Sequence, residues 1–346
     1  VVFDKPFTLG QAVEFGSIAY SDSRFRRRLK TLSIASGRKF GMAEEKNNSA
    51  IRPAWGDTAA SFLNGCFGDY LSERENGLAI DMAFYRNNLP LELSTAALSA
   101  ACPSPTGKLC VLVHGLCCHE GAFDFPGNPA RSYGSALQYD LGYTPFSLRY
   151  NTGLPIAYNG QRLDTLLEHL LAVYPVPVDD LVLIGHSMGG LVLRAACHYG
   201  ACREAGWVSK VSRVFYLGTP HEGAALERMG HLVTKLLHAV PHPVTALVGD
   251  LANQRSQGIK DLRYGTLLEG IDFSTSVPWL ASAKHYLIAG TVTDDPEHLA
   301  SRLFGDGLVQ PPQAGEHVAL FPGVAHMQLA HDEAVYARIK QWCASA

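Results

Sequence analysis

Long apolar segments are missing from this 346-residue sequence. No uninterrupted apolar run approaches the roughly 18 residues needed to cross a bilayer. The N-terminus shows no charged segment followed by an apolar core, so the sequence predicts neither a membrane span nor a secretory leader. Because the chain begins with Val1, removal of a leader stays open as an alternative.

Charge of either sign is also scarce. Charged residues make up 18% of the sequence and the formal net charge is −3. This balance gives no general attraction to polyanions, so we expect no nucleic-acid partner. The exception is a basic run at residues 24–30, which predicts either a solvated helix face or a peripheral contact with an anionic membrane surface. None of these features specifies an oligomeric state.

Cysteines at paired spacing are absent as well. The eight cysteines form no C-x-x-C pair and lack the density of a disulfide scaffold. We therefore expect mostly free thiols in a reducing compartment, which favours the cytoplasm and leaves export of a processed form open. The histidines and acidic residues show no metal-ligand spacing, and no phosphate loop or dinucleotide fingerprint is present. We expect neither a metal nor a cofactor.

Short β-branched runs alternate with amphipathic segments from about Lys108 onward. This alternation is typical of a mostly parallel central sheet flanked by helices, an α/β fold. One predicted helix carries apolar residues at helical spacing between Leu163 and Tyr174, and another closes the domain between Val335 and Trp342. The predicted strands are 109–113, 145–150, 181–184, 214–217, 285–289 and 317–321.

Two segments fall outside this alternation. Residues 1–107 are predicted to form an N-terminal extension packed on the 108–346 core, with a helix near residues 58–72. Residues 224–270 begin as a helix-like run and become irregular after Pro241 and Pro243. This second segment predicts a cap or lid that excludes water from a site. An ordinary helix followed by a long loop is the alternative.

The most informative stretch is GHSMG at residues 185–189. It follows an apolar run at residues 181–184 and precedes helix-like sequence, which is the context of a nucleophile elbow. A serine hydroxyl is a weak nucleophile at neutral pH, so it must be exposed on a tight turn beside a base and at a helix N-terminus. The pattern predicts Ser187 as a nucleophile.

A base and an acid for Ser187 are expected after it in the chain, in the order that a hydrolase sheet requires. His326 lies on a loop just before the last predicted helix and is the predicted base, whereas its rival His331 falls inside helix-like sequence. For the acid we favour Asp306, because its flanking glycines suit a sharp turn that projects the carboxylate inward. Asp294 and Asp295 are the alternatives, since they follow the strand that ends near residue 289.

Backbone donors for a developing oxyanion are expected in the loop after the first strong strand. The amide of Leu116 or Cys117, together with that of Met188, is predicted to supply them, and each such donor is typically worth about 3 to 4 kcal/mol. His114 is predicted to support this loop by hydrogen bonding. The thiol of Cys117 is predicted to be structural, since nothing nearby would depress its pKa. Three residues are possible substrate-pocket positions: Cys117, His186 and His221.

Five motifs together resemble those of α/β-hydrolase lipases and esterases, and within these the chain is similar to bacterial relatives of the GPI inositol-deacylase group. The resemblance covers roughly residues 108–345. The motifs are VHGL at 113–116, YNTG at 150–153, GHSMGG at 185–190, LGTPHEG at 217–223 and DGLV at 306–309.

The resemblance implies an α/β-hydrolase fold and hydrolysis of a small-molecule or lipid carboxylic ester through an acyl-enzyme. It also assigns Asp306 as the acid and His326 as the base of a catalytic triad with Ser187. The same machinery acting on a thioester, amide or polyester is an alternative. So is a non-catalytic binding protein that has kept the elbow.

Overall fold

The computed structural model describes residues 54–221, 256–264, 266–268, 277–291, 293–294 and 317–345. The basic run at 24–30 lies outside these residues, and so do Asp295, Asp306 and most of the 224–270 segment. Within the described ranges, no helix is long and apolar enough to span a membrane.

In the part of the chain that the structure describes, ten strands form one eight-stranded sheet and one small hairpin. The sheet has the order β10-β9-β8-β7-β3-β6-β1-β2, in which β1 pairs antiparallel with β6 and β2 pairs antiparallel with β1. All other neighbours are parallel, which confirms the prediction of a mostly parallel sheet. The strands are β1 (Ala83–Arg86), β2 (Leu89–Pro90), β3 (Lys108–Val113), β4 (Asp124–Phe125), β5 (Asn128–Ser132), β6 (Thr144–Arg149), β7 (Asp180–His186), β8 (Val211–Leu217), β9 (Lys284–Gly290) and β10 (Val318–Phe321).

The six strands expected from the sequence are all present, as β3 and β6 to β10. The central strands β3 and β7 are buried along nearly their whole length. Parallel strands are covered by helices on both faces, which is why they consist of continuous aliphatic residues rather than an alternating pattern.

Seven helices cover the described part of the sheet or pack near its edges. The helices expected near 58–72, 163–174 and 335–342 are confirmed as α1, α4 and α7, and the one after the elbow as α5. Leu163, Leu167 and Leu170 on α4 are fully buried in the core. The helices are α1 (Ala54–Glu73), α2 (Thr95–Ala101), α3 (Tyr133–Leu141), α4 (Ile156–Val173), α5 (Met188–Cys202), α6 (Gln257–Tyr264) and α7 (Glu333–Ala344).

The topology brings the chain segments that follow β3, β7, β8, β9 and β10 to one edge of the sheet, because the carboxyl ends of parallel strands share an edge. Ligands of open α/β sheets bind at this edge. The loop after β3 and the turn after β7 are direct neighbours there, since Val113 pairs with Gly185 at the ends of these strands. The loop after β3, which holds the predicted oxyanion donors at residues 116 and 117 and is called the donor loop below, therefore lies beside the predicted nucleophile, Ser187.

Candidate active site

Ser187 occupies a strained turn between β7 and α5. Its backbone has φ 52° and ψ −123°, a conformation that a non-glycine residue adopts only when its surroundings enforce it. Its amide donates to the carbonyl of Leu217 over 2.8 Å. The turn also requires glycine at position 189, since a methyl group placed on Gly189 would lie 2.1 Å from the carbonyl oxygen of Val113. Strand β3 and the elbow can pack this closely only without a side chain there.

The hydroxyl of Ser187 is buried, and within the described residues it has no hydrogen-bond partner. The side chain is only 2% exposed and stands at the N-terminus of α5, where the first backbone amides have no intrahelical acceptor. A buried hydroxyl without a partner costs stability. An unpartnered Ser187 hydroxyl is more consistent with a reacting group than with a packing role, because the helix N-terminus beside it favours negative charge.

The loop after β3 contacts Ser187 directly. A methyl group placed on Gly115 would lie 3.0 Å from the Cβ of Ser187. The next amide, that of Leu116, makes no hydrogen bond within the described part of the chain, whereas the amide of Cys117 donates to the Thr152 hydroxyl over 3.1 Å. Of the two amides considered in this loop, that of Leu116 is therefore the available one.

His114 supports this loop, as expected from the sequence. The side chain is fully buried and stacks on Tyr150 with 4.7 Å between ring centroids. Its Nδ1 donates to the carbonyl of Gly115 over 2.9 Å, which requires the proton on Nδ1. Burial lowers the pKa of His114 to about 3, so the imidazole is neutral at physiological pH.

This depressed pKa predicts a loss of stability on acidification. The unfolded chain binds a proton at His114 below pH 6.5, but the folded protein does so only near pH 3, so stability falls as the pH falls through that window. In His114→Asn, whose amide can still donate to Gly115, we expect the decrease in unfolding free energy between pH 7 and pH 5 to be smaller by roughly 2 kcal/mol. Urea unfolding at both pH values measures it. An unchanged difference would contradict a neutral His114.

His326 begins a 3-10 helix that follows β10, and only 5% of its surface is exposed. Its ring lies 5.0 Å from that of His186, centroid to centroid, and its carbonyl accepts a hydrogen bond from Nε2 of His186 over 3.0 Å. His326 therefore contacts the residue that directly precedes the predicted nucleophile, Ser187, and its role as the base stays a prediction. The rival His331 instead contacts the carbonyl of Ala122 through Nδ1, at 3.2 Å.

Only one of the three candidate acids falls within the described residues. Asp294 is exposed, and the preceding residue, Thr293, accepts a hydrogen bond from the amide of Gly323 over 3.0 Å. This contact holds the Asp294 segment beside the turn that leads to His326. Asp295 and Asp306 lie outside the described residues.

The three possible pocket residues are all largely buried. His186 packs against His326, and Cys117 contacts the carbonyl of Phe62 with its sulfur. His221 lies between the rings of Tyr216 and Trp279, and burial and the charge of Arg194 lower its pKa to about 3. Their role as substrate contacts stays a prediction.

A buried ion network behind the donor loop was not expected from the sequence. Arg149, at the end of β6, donates to Glu120 over 2.6 Å and to Asp57 of α1 over 2.9 Å, and its guanidinium stacks on Tyr85. Glu120 follows the loop after β3 and joins this part of the chain to β6 and, through Arg149, to α1.

Among the described residues, no cluster of three or more histidine, cysteine or acidic side chains could hold a metal ion. All eight cysteines are free thiols, and six of them are buried.

The chain is similar, at low sequence identity, to several solved structures. A lipase-esterase related protein from Clostridium acetobutylicum is 13% identical, with a TM-score of 0.38 over 68% of this chain and 94% of that one. An esterase from Thermogutta terrifontis is 16% identical, with a TM-score of 0.37 over 69% and 90%. Esterase Pf2001 from Pyrococcus furiosus is 14% identical, with a TM-score of 0.41 over 68% and 82%.

None of the curated proteins matches the chain. A family model, described as the alpha/beta hydrolase family, matches residues 110–338. This match spans more than half of the sequence, from the first central strand through the 3-10 helix that carries His326 and into α7. The chain therefore belongs to the alpha/beta hydrolase family.

Proposed function

We propose that the protein is a serine carboxylic ester hydrolase with Ser187 as its nucleophile. The observation that carries the proposal is the Ser187 hydroxyl, which is buried on a strained elbow, lacks a partner within the described residues, and lies against Gly115 of the donor loop. A packing role explains neither the strain nor the unsatisfied hydroxyl. Nucleophilic catalysis uses both.

The reaction then follows in two acyl transfers. His326 takes the proton of Ser187 as its Oγ bonds to the ester carbonyl carbon, and the carbonyl oxygen becomes an oxyanion that accepts hydrogen bonds from the amides of Leu116 and Met188. Collapse of this intermediate breaks the bond to the alcohol oxygen, which receives the proton from His326. Water, deprotonated by His326, then attacks the acyl-enzyme and releases the acid and free Ser187.

Asp306 is the proposed acid that orients His326 and stabilises its charged form. The support is its place in the chain order and the resemblance of its DGLV motif to that of related lipases. Asp294 and Asp295 remain the alternatives. Comparing ester turnover by Asp306→Asn, Asp294→Asn and Asp295→Asn identifies the acid, because loss of the orienting carboxylate lowers kcat steeply.

Residues 224–270 are proposed to cover the site as a cap. The support comes from the described end of this segment, where α6 packs directly on the elbow. A methyl group placed on Gly258 would lie 3.1 Å from Cε of Met188 and 2.2 Å from the carbonyl oxygen of Thr152. A cap of this kind shapes the acyl pocket. The substrate is proposed to be a small-molecule or lipid ester, and a relationship to bacterial relatives of the GPI inositol-deacylase group, suggested by the motifs of the chain, is part of this proposal.

Hydrolysis of p-nitrophenyl esters of increasing acyl length tests the function. We expect turnover well above the uncatalysed rate for part of the series, with an initial burst of p-nitrophenol when deacylation is slow. Matched thioesters and amides run in parallel identify the preferred bond. Folded protein without turnover of any of these substrates would contradict a hydrolase, and activity confined to thioesters or amides would replace the ester assignment.

A further inference from the structure

Thr152 makes a contact that the chemistry of Ser187 does not by itself require. Its hydroxyl accepts the amide hydrogen of Cys117 over 3.1 Å, and both residues are buried. Cys117 has φ 60°, in the left-handed region that a non-glycine residue adopts only at a cost. The hydrogen bond therefore selects one strained conformation of the donor loop.

Thr152 is itself held in place by neighbours on both sides. The side-chain amide of Asn151 donates to the carbonyl of Gly68 in α1 over 2.9 Å, and its oxygen accepts the amide of Gly153 over 3.0 Å. The carbonyl of Gly153 in turn accepts the amide of Gly258 in α6 over 3.0 Å. The Thr152 hydroxyl is thus a fixed acceptor rather than a mobile one.

Helix α1 closes the other side of the same loop. A methyl group placed on Gly65 would lie 2.2 Å from the sulfur of Cys117 and 3.1 Å from its Cα. Cys117 is therefore confined between α1 and the Thr152 hydroxyl. Gly115, two residues earlier, is confined against Ser187, so the peptide groups between these two points have little freedom to rotate.

From this arrangement we propose that Thr152 is a positioning residue that aims the Leu116 amide at the oxyanion. The inference rests on the proposed function, since it concerns the same transition state. By binding the Cys117 amide, Thr152 removes that amide as a competing donor. The same hydrogen bond fixes the plane of the peptide between Leu116 and Cys117, which adjoins the peptide that carries the Leu116 amide. A donor fixed before the reaction needs no reorganisation when charge develops, and a displacement of about 1 Å costs roughly 100-fold in rate.

Substitution of Thr152 separates positioning from simple packing. Thr152→Val keeps the shape and removes the acceptor, and Thr152→Ser keeps the acceptor. The matched control is Thr144→Val at the start of β6, on the opposite edge of the sheet, where another buried threonine hydroxyl accepts from Tyr174 over 3.0 Å. If Thr152→Val does not fold, Thr152→Cys, with a weak sulfur acceptor, replaces it.

We expect Thr152→Val to lower kcat for esters by about 10- to 100-fold with KM changed less than about twofold. Thr152→Ser should recover most of this loss, and Thr144→Val should leave kcat unchanged. The rate of phosphonylation by a fluorophosphonate should fall in parallel with kcat, because that reaction uses the same oxyanion donors. For Thr152→Cys we expect a smaller loss of the same kind.

Three results would overturn the inference: an unchanged kcat in Thr152→Val, an equal loss in Thr144→Val, or no recovery in Thr152→Ser. Each of these presupposes an active wild type and so leaves the proposed function standing. A wild-type protein that neither hydrolyses esters nor reacts with the fluorophosphonate would instead contradict the proposed function.

Discussion

Replacing Ser187 with alanine is expected to remove ester turnover almost completely, with a loss of about a million-fold in kcat. No other described hydroxyl combines burial, a strained elbow and contact with the donor loop. Because alanine meets the same strain at φ 52°, and because the substitution deletes a buried hydroxyl without a partner in the described residues, the variant should be at least as stable as the wild type.

Steady-state turnover of the preferred p-nitrophenyl ester and urea unfolding of both proteins measure these two effects together. Loss of activity with an equal or higher unfolding free energy matches the expected role of Ser187. Activity within tenfold of the wild type would exclude Ser187 as the nucleophile. Loss of activity together with loss of folding would instead assign the hydroxyl a structural role.

Replacing His326 with glutamine is expected to lower kcat by at least about a thousandfold, because glutamine cannot accept the proton of Ser187. The ring is nearly enclosed and packs against His186, and glutamine fills most of that space. His331→Gln is the matched control. That side chain is half-buried and contacts Ala122 rather than His186.

Steady-state turnover of the preferred p-nitrophenyl ester by both variants measures these losses, and urea unfolding of both shows whether each variant is folded. A large loss in His331→Gln with an active His326→Gln would transfer the role of the base to His331.

The central strands and the elbow could be predicted because their signals are local. A buried parallel strand is a continuous aliphatic run, and the elbow places glycine at fixed distances from its serine. Gly189 illustrates this, since its lack of a side chain is required by the approach of β3. The position of His326 before α7 could also be predicted, because chain order alone restricts which histidines reach the carboxyl edge of the sheet.

The support around the site could not be predicted, because it depends on contacts between distant parts of the chain. Strand β1 has four residues of mixed burial and exists through antiparallel pairing with β6. The contact of Gly65 with Cys117 joins segments 52 residues apart in the sequence. The hydrogen bond from Arg149 to Asp57 joins residues that are 92 positions apart. No local pattern marks such partners. The choice among Asp294, Asp295 and Asp306 has the same origin, since it depends on which carboxylate reaches His326.

The most direct test of Ser187 as the nucleophile is identification of the residue that a fluorophosphonate modifies. The Oγ of the nucleophile bonds to phosphorus as fluoride leaves, so the adduct marks the attacking atom. Peptide mass spectrometry of labelled wild-type protein should find the phosphonate on Ser187, and His326→Gln should label far more slowly. Folded wild-type protein that stays unlabelled, or that carries the phosphonate on another residue, would contradict the account.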